Sequence, residues 1–479
     1  MSLSSKLLEE VEKLSQNEVL SLQLELLKRT NVQNLRLLRE KVHELLSFDL
    51  ISDLPITLAL NILSYLDAFS LCTISQCCSR YRELANDNLL WHRLCISKGY
   101  TQYQSLSFPE SEEDCHPSSP RFKVQKIMKH THFSYWKVVY MKSTVLMQNW
   151  SQGLYSVSAL NAGNKEPITA MSLKNDVLVT GSRDGSSKIW NLKSLSVTTT
   201  LKGHTDEITT IIVTEGTILS GCSDGLVRCF SLISGQLMWS VEVKKGGIEG
   251  MEYASPYLAS ATSDQSIYVW KTEKGSAPIA MDTLQGHTKP ITCLLVNEQC
   301  VYSGSWDGTI RIWSIGPTST NTHVLPAHLE GVMCILILNN STLASGGGDS
   351  VVKIWEPVTG QLLLSLKGHN QEILCLQADD TVLASSSADS TIRIWNADKG
   401  HCVHVLENHI GLVRCLLLRG NYLISGGDRK RINVWNKETG KLLHTVHRQQ
   451  NLIRLLETSQ NQIITASPNE GTMGIISYW

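Results

Sequence analysis

Five histidines carry a spacing from which an active site or a metal centre could be built. His204, His287, His328, His369 and His409 are followed 16 or 17 residues later by Ser220, Ser303, Ser345, Ser385 and Ser425. In the first four, an aspartate follows 20 or 21 residues on, at Asp224, Asp307, Asp349 and Asp389. Serine, histidine and aspartate are the parts of a nucleophilic triad, and histidines with carboxylates are the parts of a zinc site. Catalysis needs such a trio once, whereas here it recurs, and each histidine belongs to a different unit of the repeat. The bland reading is structural: His, Asp, Ser or Thr and an aromatic can form a buried hydrogen-bonded chain that ties a turn to a strand. No catalytic group, metal or cofactor is expected.

The elements that position these residues repeat along the chain. An aromatic stands at Trp190, Phe230, Trp270, Trp313, Trp355, Trp395 and Trp435, in steps of 40 to 43 residues. Ten residues before each lies a hydroxyl: Thr180, Ser220, Ser260, Ser303, Ser345, Ser385 and Ser425. Six residues before the first six lies an aspartate, including Asp184 and Asp264. Units beginning at Ile291, Val332 and Ile373 hold the full set. The unit at Ile208 has Phe230 for Trp, and the unit at Leu412 has Arg429 where Asp is expected. The unit at Ile248 lacks Gly-His and has Lys244-Lys245-Gly246-Gly247 nearby. This period, with its Gly-His and its Asp-to-Trp run, resembles the WD40 repeat, which implies four strands per propeller blade.

Inner strands begin at Ile168, Ile208, Ile248, Ile291, Val332, Ile373, Leu412 and Leu452, so eight blades are expected, with seven as the alternative. The last unit offers three strands. The alternating stretch from Leu154 to Leu160 is suited to supply the missing outer one, which would close the ring and leave no open edge.

Ahead of the repeat the periodicity is helical. Ser15-Gln16-Asn17-Glu18 matches a capping box before Val19, Leu22 and Leu26. Leu35, Leu38, Val42, Leu45 and Leu46 make a second apolar stripe. These helices either pack on the next segment or form the seam of a homodimer. Then come Phe48-Asp49-Leu50-Ile51-Ser52-Asp53-Leu54-Pro55, followed by Leu58, Ile62, Leu63, Tyr65 and Leu66, and finally Leu90-Trp91. This stretch is similar to the F-box. So short a helical unit carries more apolar surface than it can bury alone. The resemblance implies that Leu54, Pro55, Leu58, Ile62, Leu63 and Leu66 contact a Skp-type adaptor, and through it cullin and RING subunits. The expected fold is multidomain, α plus all-β: an N-terminal helical segment (1–47), the F-box (48–94), a helical linker (95–153) and an eight-bladed WD40 β-propeller (154–479).

Composition excludes other classes. The 479 residues are 42% hydrophobic and 18% charged, a globular balance, and carry a formal net charge of −1. Nothing there draws the chain to nucleic acid or to an anionic membrane. Apolar runs fall far short of the ~20 residues that span a bilayer, and Glu and Lys interrupt the N-terminus, so no signal peptide is expected. Thirteen cysteines include no C-x-x-C pair. Cys293, Cys334, Cys375 and Cys415 recur in steps of 41, 41 and 40, as small buried hydrophobes would. A reducing compartment, cytoplasm or nucleus, is expected. Between Arg121 and Trp150 stand Lys123, Lys126, Lys129, Lys137 and Lys142 with no acidic residue. They make either a phosphate-binding patch or the solvated face of a helical stalk.

In an up-and-down blade, the loop entering the inner strand and the turn between the second and third strands share one face. Reading those positions around the ring puts Arg183, Arg414, Arg429 and Arg454 on blades one, seven and eight, which are neighbours in a closed ring, and Trp306 on blade four. Converging guanidiniums suit a phosphoserine or phosphothreonine, and an exposed Trp suits an apolar anchor. The combined resemblance implies a non-catalytic substrate receptor of an SCF-type cullin-RING ubiquitin ligase that binds a phosphorylated degron. The alternative is a WD40 interaction scaffold with a non-degradative F-box.

Overall fold

The computed structural model describes residues 54–104, 133–161 and 166–479, except 175, 193, 274–275, 317–320, 339–341, 381, 430, 448–452, 454 and 467–471; it also describes Ser21, Glu25 and Gln33. The two N-terminal stripes, Lys123, Lys126, Lys129 and Arg454 lie outside the described residues. The chain forms two compact units that divide between Ser143 and Thr144.

The helical unit contains α1 (Ile56–Leu63), α2 (Ala68–Ile74), α3 (Ser79–Ala85) and α4 (Asn88–Ser97). Pro55 is the N-cap of α1, and its carbonyl accepts the amides of Leu58 and Ala59. Asp67 and Asp87 cap α2 and α4 through carboxylates that accept backbone N–H groups. Ala59, Leu63, Leu71, Leu84, Leu90 and Trp91 make the core. The Trp91 indole donates to the Ala85 carbonyl at 2.7 Å. A longer helix, α5, runs from Tyr135 to Gln152. Its Tyr140 meets Trp91 edge-on. Its Lys137 is buried, with the ammonium over the rings of Trp91 and Phe133 at 5.1 and 4.8 Å. Lys137 is thus neither a phosphate ligand nor part of a solvated face. Burial lowers its pKa, and the two aromatic faces stand in for water around the cation.

The second unit is an eight-bladed propeller. Its 32 strands form eight four-stranded antiparallel sheets. In blade 4 the first three strands are Ile291–Val296, Cys300–Ser305 and Thr309–Ser314, the inner one starting at the expected Ile291. Blade 8 contains Leu455–Thr458, Gln462–Ala466 and Thr472–Ser477, and its outer strand is Ser156–Asn161 from ahead of blade 1. Val157 pairs with Ile476 and Leu160 with Met473, so the ends of the propeller close on each other. Eight sheets exclude the seven-bladed alternative.

The apolar cores lie between neighbouring blades. Val179 and Ile189 of blade 1 pack with Ile208, Ile211 and Phe230 of blade 2. Ile464, Met473 and Ile475 of blade 8 pack with Ile168, Leu178 and Trp190 of blade 1, which completes the ring. The recurring cysteines belong to these interfaces. Cys293, Cys334 and Cys415 each face a glycine on the second strand. A Cβ on Gly304 would stand 2.6 Å from Cys293 Sγ, so the thiol takes the space that a side chain there would need. Burial raises the pKa of all four thiols and keeps them protonated.

Candidate functional site

One backbone hydrogen bond recurs around the ring and builds the loop-bearing face. In the second-to-third turns of blades 1 to 7, the residue one ahead of the aspartate position donates its amide to the carbonyl just before the inner strand. Arg183 donates to Pro167, Trp306 to Pro290, Gly348 to Gly331, Ala388 to Glu372 and Asp428 to Leu412, at 3.0 to 3.1 Å. The two loop sets therefore lie at the same end of each blade.

Beneath that face the repeated histidines form the expected chains. His287 bridges Asp307 and Ser303 at 2.8 Å each, and the Trp313 indole donates to Ser303 at 3.0 Å. His328 with Asp349, Ser345 and Trp355 repeats the arrangement, as does His369 with Asp389, Ser385 and Trp395. An ionised carboxylate only accepts, so Nδ1–H donates to it and Nε2 accepts the serine hydroxyl. Burial pushes the Asp307 and Asp389 carboxyls up, but the hydrogen bonds they accept more than offset this and hold both at about 2. The histidines are pushed down by burial and stay neutral. A neutral, fully bonded imidazole beneath a closed turn is a strut and not a base.

The irregular blades show what each missing part costs. In blade 3, which has no histidine, the buried Ser260 hydroxyl has no partner. In blade 7 His409 reaches Ser425, but its Nδ1 has no partner, since Arg429 replaces the aspartate. In the other six of these turns the left-handed residue follows the aspartate; in blade 7 it is Arg429 itself, at φ 62°. In blade 2, Asp224, His204 and Cys222 place potential metal-ligand atoms within 4.8 Å of one another. The Arg228 guanidinium sits among them, bonded to His204 and to Asp224, and supplies the positive charge that a metal would bring. Cys222 Sγ bonds to the Asp206 carbonyl, as Ser305 and Ser387 bond to the equivalent carbonyls in their blades. This group is structural.

The face residues singled out from the sequence are distributed as follows. Arg183 is exposed, and its Nε donates to Glu207 Oε2 of the next blade at 3.2 Å. Arg414 is half-buried and donates to Asp428 in the adjoining turn at 2.9 Å. Arg429 is exposed beside that pair. Trp306 is 54% exposed on blade 4. Of the four arginines read from the sequence, Arg183 and Arg414 thus each hold a carboxylate; Asp428 was expected to weaken the local positive field, and Glu207 was missed. Arg414 occupies the inner-strand position where Thr169, Thr209 and Thr292 donate to the next blade's carbonyls, at 2.5 to 2.7 Å. Those threonines pin blade to blade.

On the helical unit, Leu58 and Ile62 are about half exposed and Pro55 is exposed. Leu63 is fully buried in the core, and Leu54 and Leu66 pack partly against it, so these three support the face rather than form it. The outward residues that sequence reasoning missed are Ile56, Tyr65 and Phe69, at 53%, 86% and 79% exposure. Their density as large apolar residues in the same short stretch as Leu58 and Ile62 was the available signal.

Comparison with known proteins agrees with these two units. The F-box-like family matches residues 51–97, and the WD domain, G-beta repeat, matches 156–191, 195–231, 280–314, 319–356, 360–396 and 400–436. The outer strand of blade 2, the first three strands of blade 3, the outer strand of blade 7 and the three inner strands of blade 8 lie outside these matches. Cell division control protein 4 of Candida albicans is 25% identical over 72% of this chain and 54% of its own length. A probable E3 ubiquitin ligase complex SCF subunit sconB of Arthroderma otae is 25% identical over 33% of this chain and 25% of its own. The chain spans about half the length of the curated relatives it matches most broadly. Among solved structures, the computationally designed Ika8 protein has a TM-score of 0.62 at 28% identity and covers 67% of this chain and 98% of its own. Sqt1 of Saccharomyces cerevisiae, with a TM-score of 0.59 at 14% identity over 67% of this chain and 97% of its own, shares the fold. With an F-box-like domain ahead of a closed ring of WD40 blades, this chain is an F-box/WD40-repeat protein.

Proposed function

We propose that this chain is the substrate-recognition subunit of an SCF-type ubiquitin ligase, a binding module that leaves catalysis to its partners. The observation that carries the reading is the outward apolar face of the helical unit. Ile56, Leu58, Ile62, Tyr65 and Phe69 stand exposed within one 14-residue stretch of a unit whose core is already filled. Clustered large apolar side chains on a small unit mark a protein interface, and a Skp-type adaptor is the partner that an F-box implies. The name of the sconB relative, an SCF subunit, supports the same assembly.

The propeller face then holds the substrate. Exposed ion pairs such as Arg183–Glu207 are worth about 0–1 kcal/mol, so a phosphate with nearly two charges can take Arg183 or Arg414 from its carboxylate. Arg429 and Arg454 would add to that field, and Trp306 would receive an apolar residue. The described cysteines are free thiols, which suits the reducing cytoplasm or nucleus.

The test is reconstitution. The purified chain, supplied with adaptor, cullin and RING subunits, should direct ubiquitin onto a protein captured by the propeller. Adaptor binding without any such transfer would leave a propeller scaffold with a non-degradative F-box.

A further inference from the structure

The internal repeat shows an interaction that one blade junction has and another lacks. At the junction of blades 1 and 2, Arg183 pairs with Glu207 at 3.2 Å. Each sits at a defined register: Arg183 donates its amide to the carbonyl before its inner strand, and Glu207 offers its carbonyl to the next turn, at Ser223. At the junction of blades 5 and 6 the same registers hold Gly348 and Glu372, with Gly348 donating to Gly331 and Glu372 accepting from Ala388. The carboxylate is kept and the arginine is gone.

What stands there is an open cleft of about 460 Å³, lined by Glu330, Asp349, Ser350, Asn370, Gln371 and Glu372 among others, with no lysine or arginine in its wall. Among the described residues, the carboxylates of Glu330 and Glu372 have no hydrogen bond or ion pair. Asp349 is engaged by His328, with Lys353 4.0 Å away on the strand that follows. The chain cannot supply the missing cation at position 348, because a Cβ there would stand 2.8 Å from the Glu330 carbonyl oxygen. Large exposed side chains stand nearby in the chain fold: Leu329, next to Glu330 in sequence, is 93% exposed, and Trp306, 54% exposed, has its backbone against Gly331.

From this pairing and its absence we infer that the cleft between blades 5 and 6 receives an arginine side chain of the bound protein, in the place that Arg183 fills at blades 1 and 2. The inference rests on reading this face as the substrate platform and adds what the substrate must carry: an arginine beside an apolar residue, the arginine facing Glu372 and Glu330 and the apolar group lying on Trp306 or Leu329. A guanidinium suits the place better than an ammonium, since its planar fork can serve a carboxylate and the neighbouring amide oxygens together.

The test uses the purified full chain on arrays of degenerate 12-residue peptides with one fixed position: arginine, its neutral isostere citrulline, or lysine. Each series is made with and without a phosphothreonine. Arginine peptides should bind about two- to fivefold more tightly than citrulline peptides, the range for one charge pair in an open, solvent-reached cleft. Glu372→Gln and Glu330→Gln, two isosteric surface changes, should each reduce that ratio, and the double variant should bring it near one. Arg183→Ala with Arg414→Ala should leave the ratio unchanged while lowering binding of the phosphothreonine series. Equal binding of arginine and citrulline peptides by the parent chain, or a ratio that survives the double variant, overturns the inference. An arginine preference without any phosphothreonine preference upholds it and removes phosphate recognition instead.

Discussion

Trp150 lies flat on Tyr478, ring centroids 3.8 Å apart and planes 16° from parallel. Beside them, Asn149 Nδ2 donates to the Tyr478 carbonyl at 2.7 Å. The C-terminal part of α5 and the residue that follows the last strand of blade 8 are thus fastened together within one unit. Trp150 is 1% exposed and also stacks on Tyr422 of blade 7. Trp150→Ala should cost about 3–5 kcal/mol, the range for emptying a buried aromatic site. A denaturant titration reporting propeller unfolding checks this, and an unchanged midpoint would show that the ring closes without this seam.

The struts beneath the face should respond according to their partners. Ser345→Ala removes the hydroxyl that bonds His328 and Trp355, leaving two buried groups unmet, for a loss of about 1–3 kcal/mol. Ser260→Ala, at the same register in blade 3, deletes a buried hydroxyl that has no partner, and should be neutral or stabilising. Thermal midpoints of the two variants measured side by side decide the matter; equal losses would contradict it.

Stability should depend on pH through two opposed groups. Burial holds His204, His409 and His444 near 4, down from 6.5, with Arg228 and Arg431 adding to the shift at the first two. They are neutral when folded and bind protons on unfolding, so their contribution is complete above pH 6.5 and lost as the pH falls toward 4. Burial pushes Glu252 and Glu457, on the inner strands of blades 3 and 8, up to about 7 from 4.5. Their contribution is complete below 4.5 and lost as the pH rises through 7. Glu252→Gln with Glu457→Gln should therefore stabilise the propeller at pH 8 relative to the parent, with the advantage fading by pH 4.5. Parallel stability curves from pH 4 to 8 would count against these shifts.

On the helical unit, exposure separates binding from folding. Leu58→Glu and Ile62→Glu change half-exposed positions, and should abolish capture of a Skp-type adaptor with the thermal midpoint little changed. Leu63→Ala empties a core site and should cost about 2–5 kcal/mol. Adaptor pull-down with parallel melting curves distinguishes them. Retained capture by Leu58→Glu would remove this face from the assembly.

A phosphopeptide titration addresses the arginines. Arg183→Ala with Arg414→Ala should weaken a phosphothreonine peptide about tenfold or more while its unphosphorylated twin changes little. Equal losses for both peptides would refute phosphate recognition at these residues.

The repeat was legible in the chain itself because a blade is built from near neighbours. Ser303, Asp307 and Trp313 fall within eleven residues of one another, and His287 lies one strand away, so their spacing alone specified strands, turns and struts. The count of eight, and the return of 156–161 to blade 8, also followed from order along the chain. Partners across blade junctions were different. Arg183 meets Glu207, and Glu372 faces an empty register at Gly348, because two loops from separate blades are brought side by side by the ring and not by proximity in sequence. Burial was equally unreadable: Leu63 and Leu58 have the same chemistry, and only the packing of four short helices turns one inward and the other out. Lys137 counted as a solvent-facing charge until two aromatic rings, one of them 46 residues away, enclosed it. Local periodicity settles which elements form; which side chains then pair, and which are left waiting for a partner, is decided by how those elements are packed.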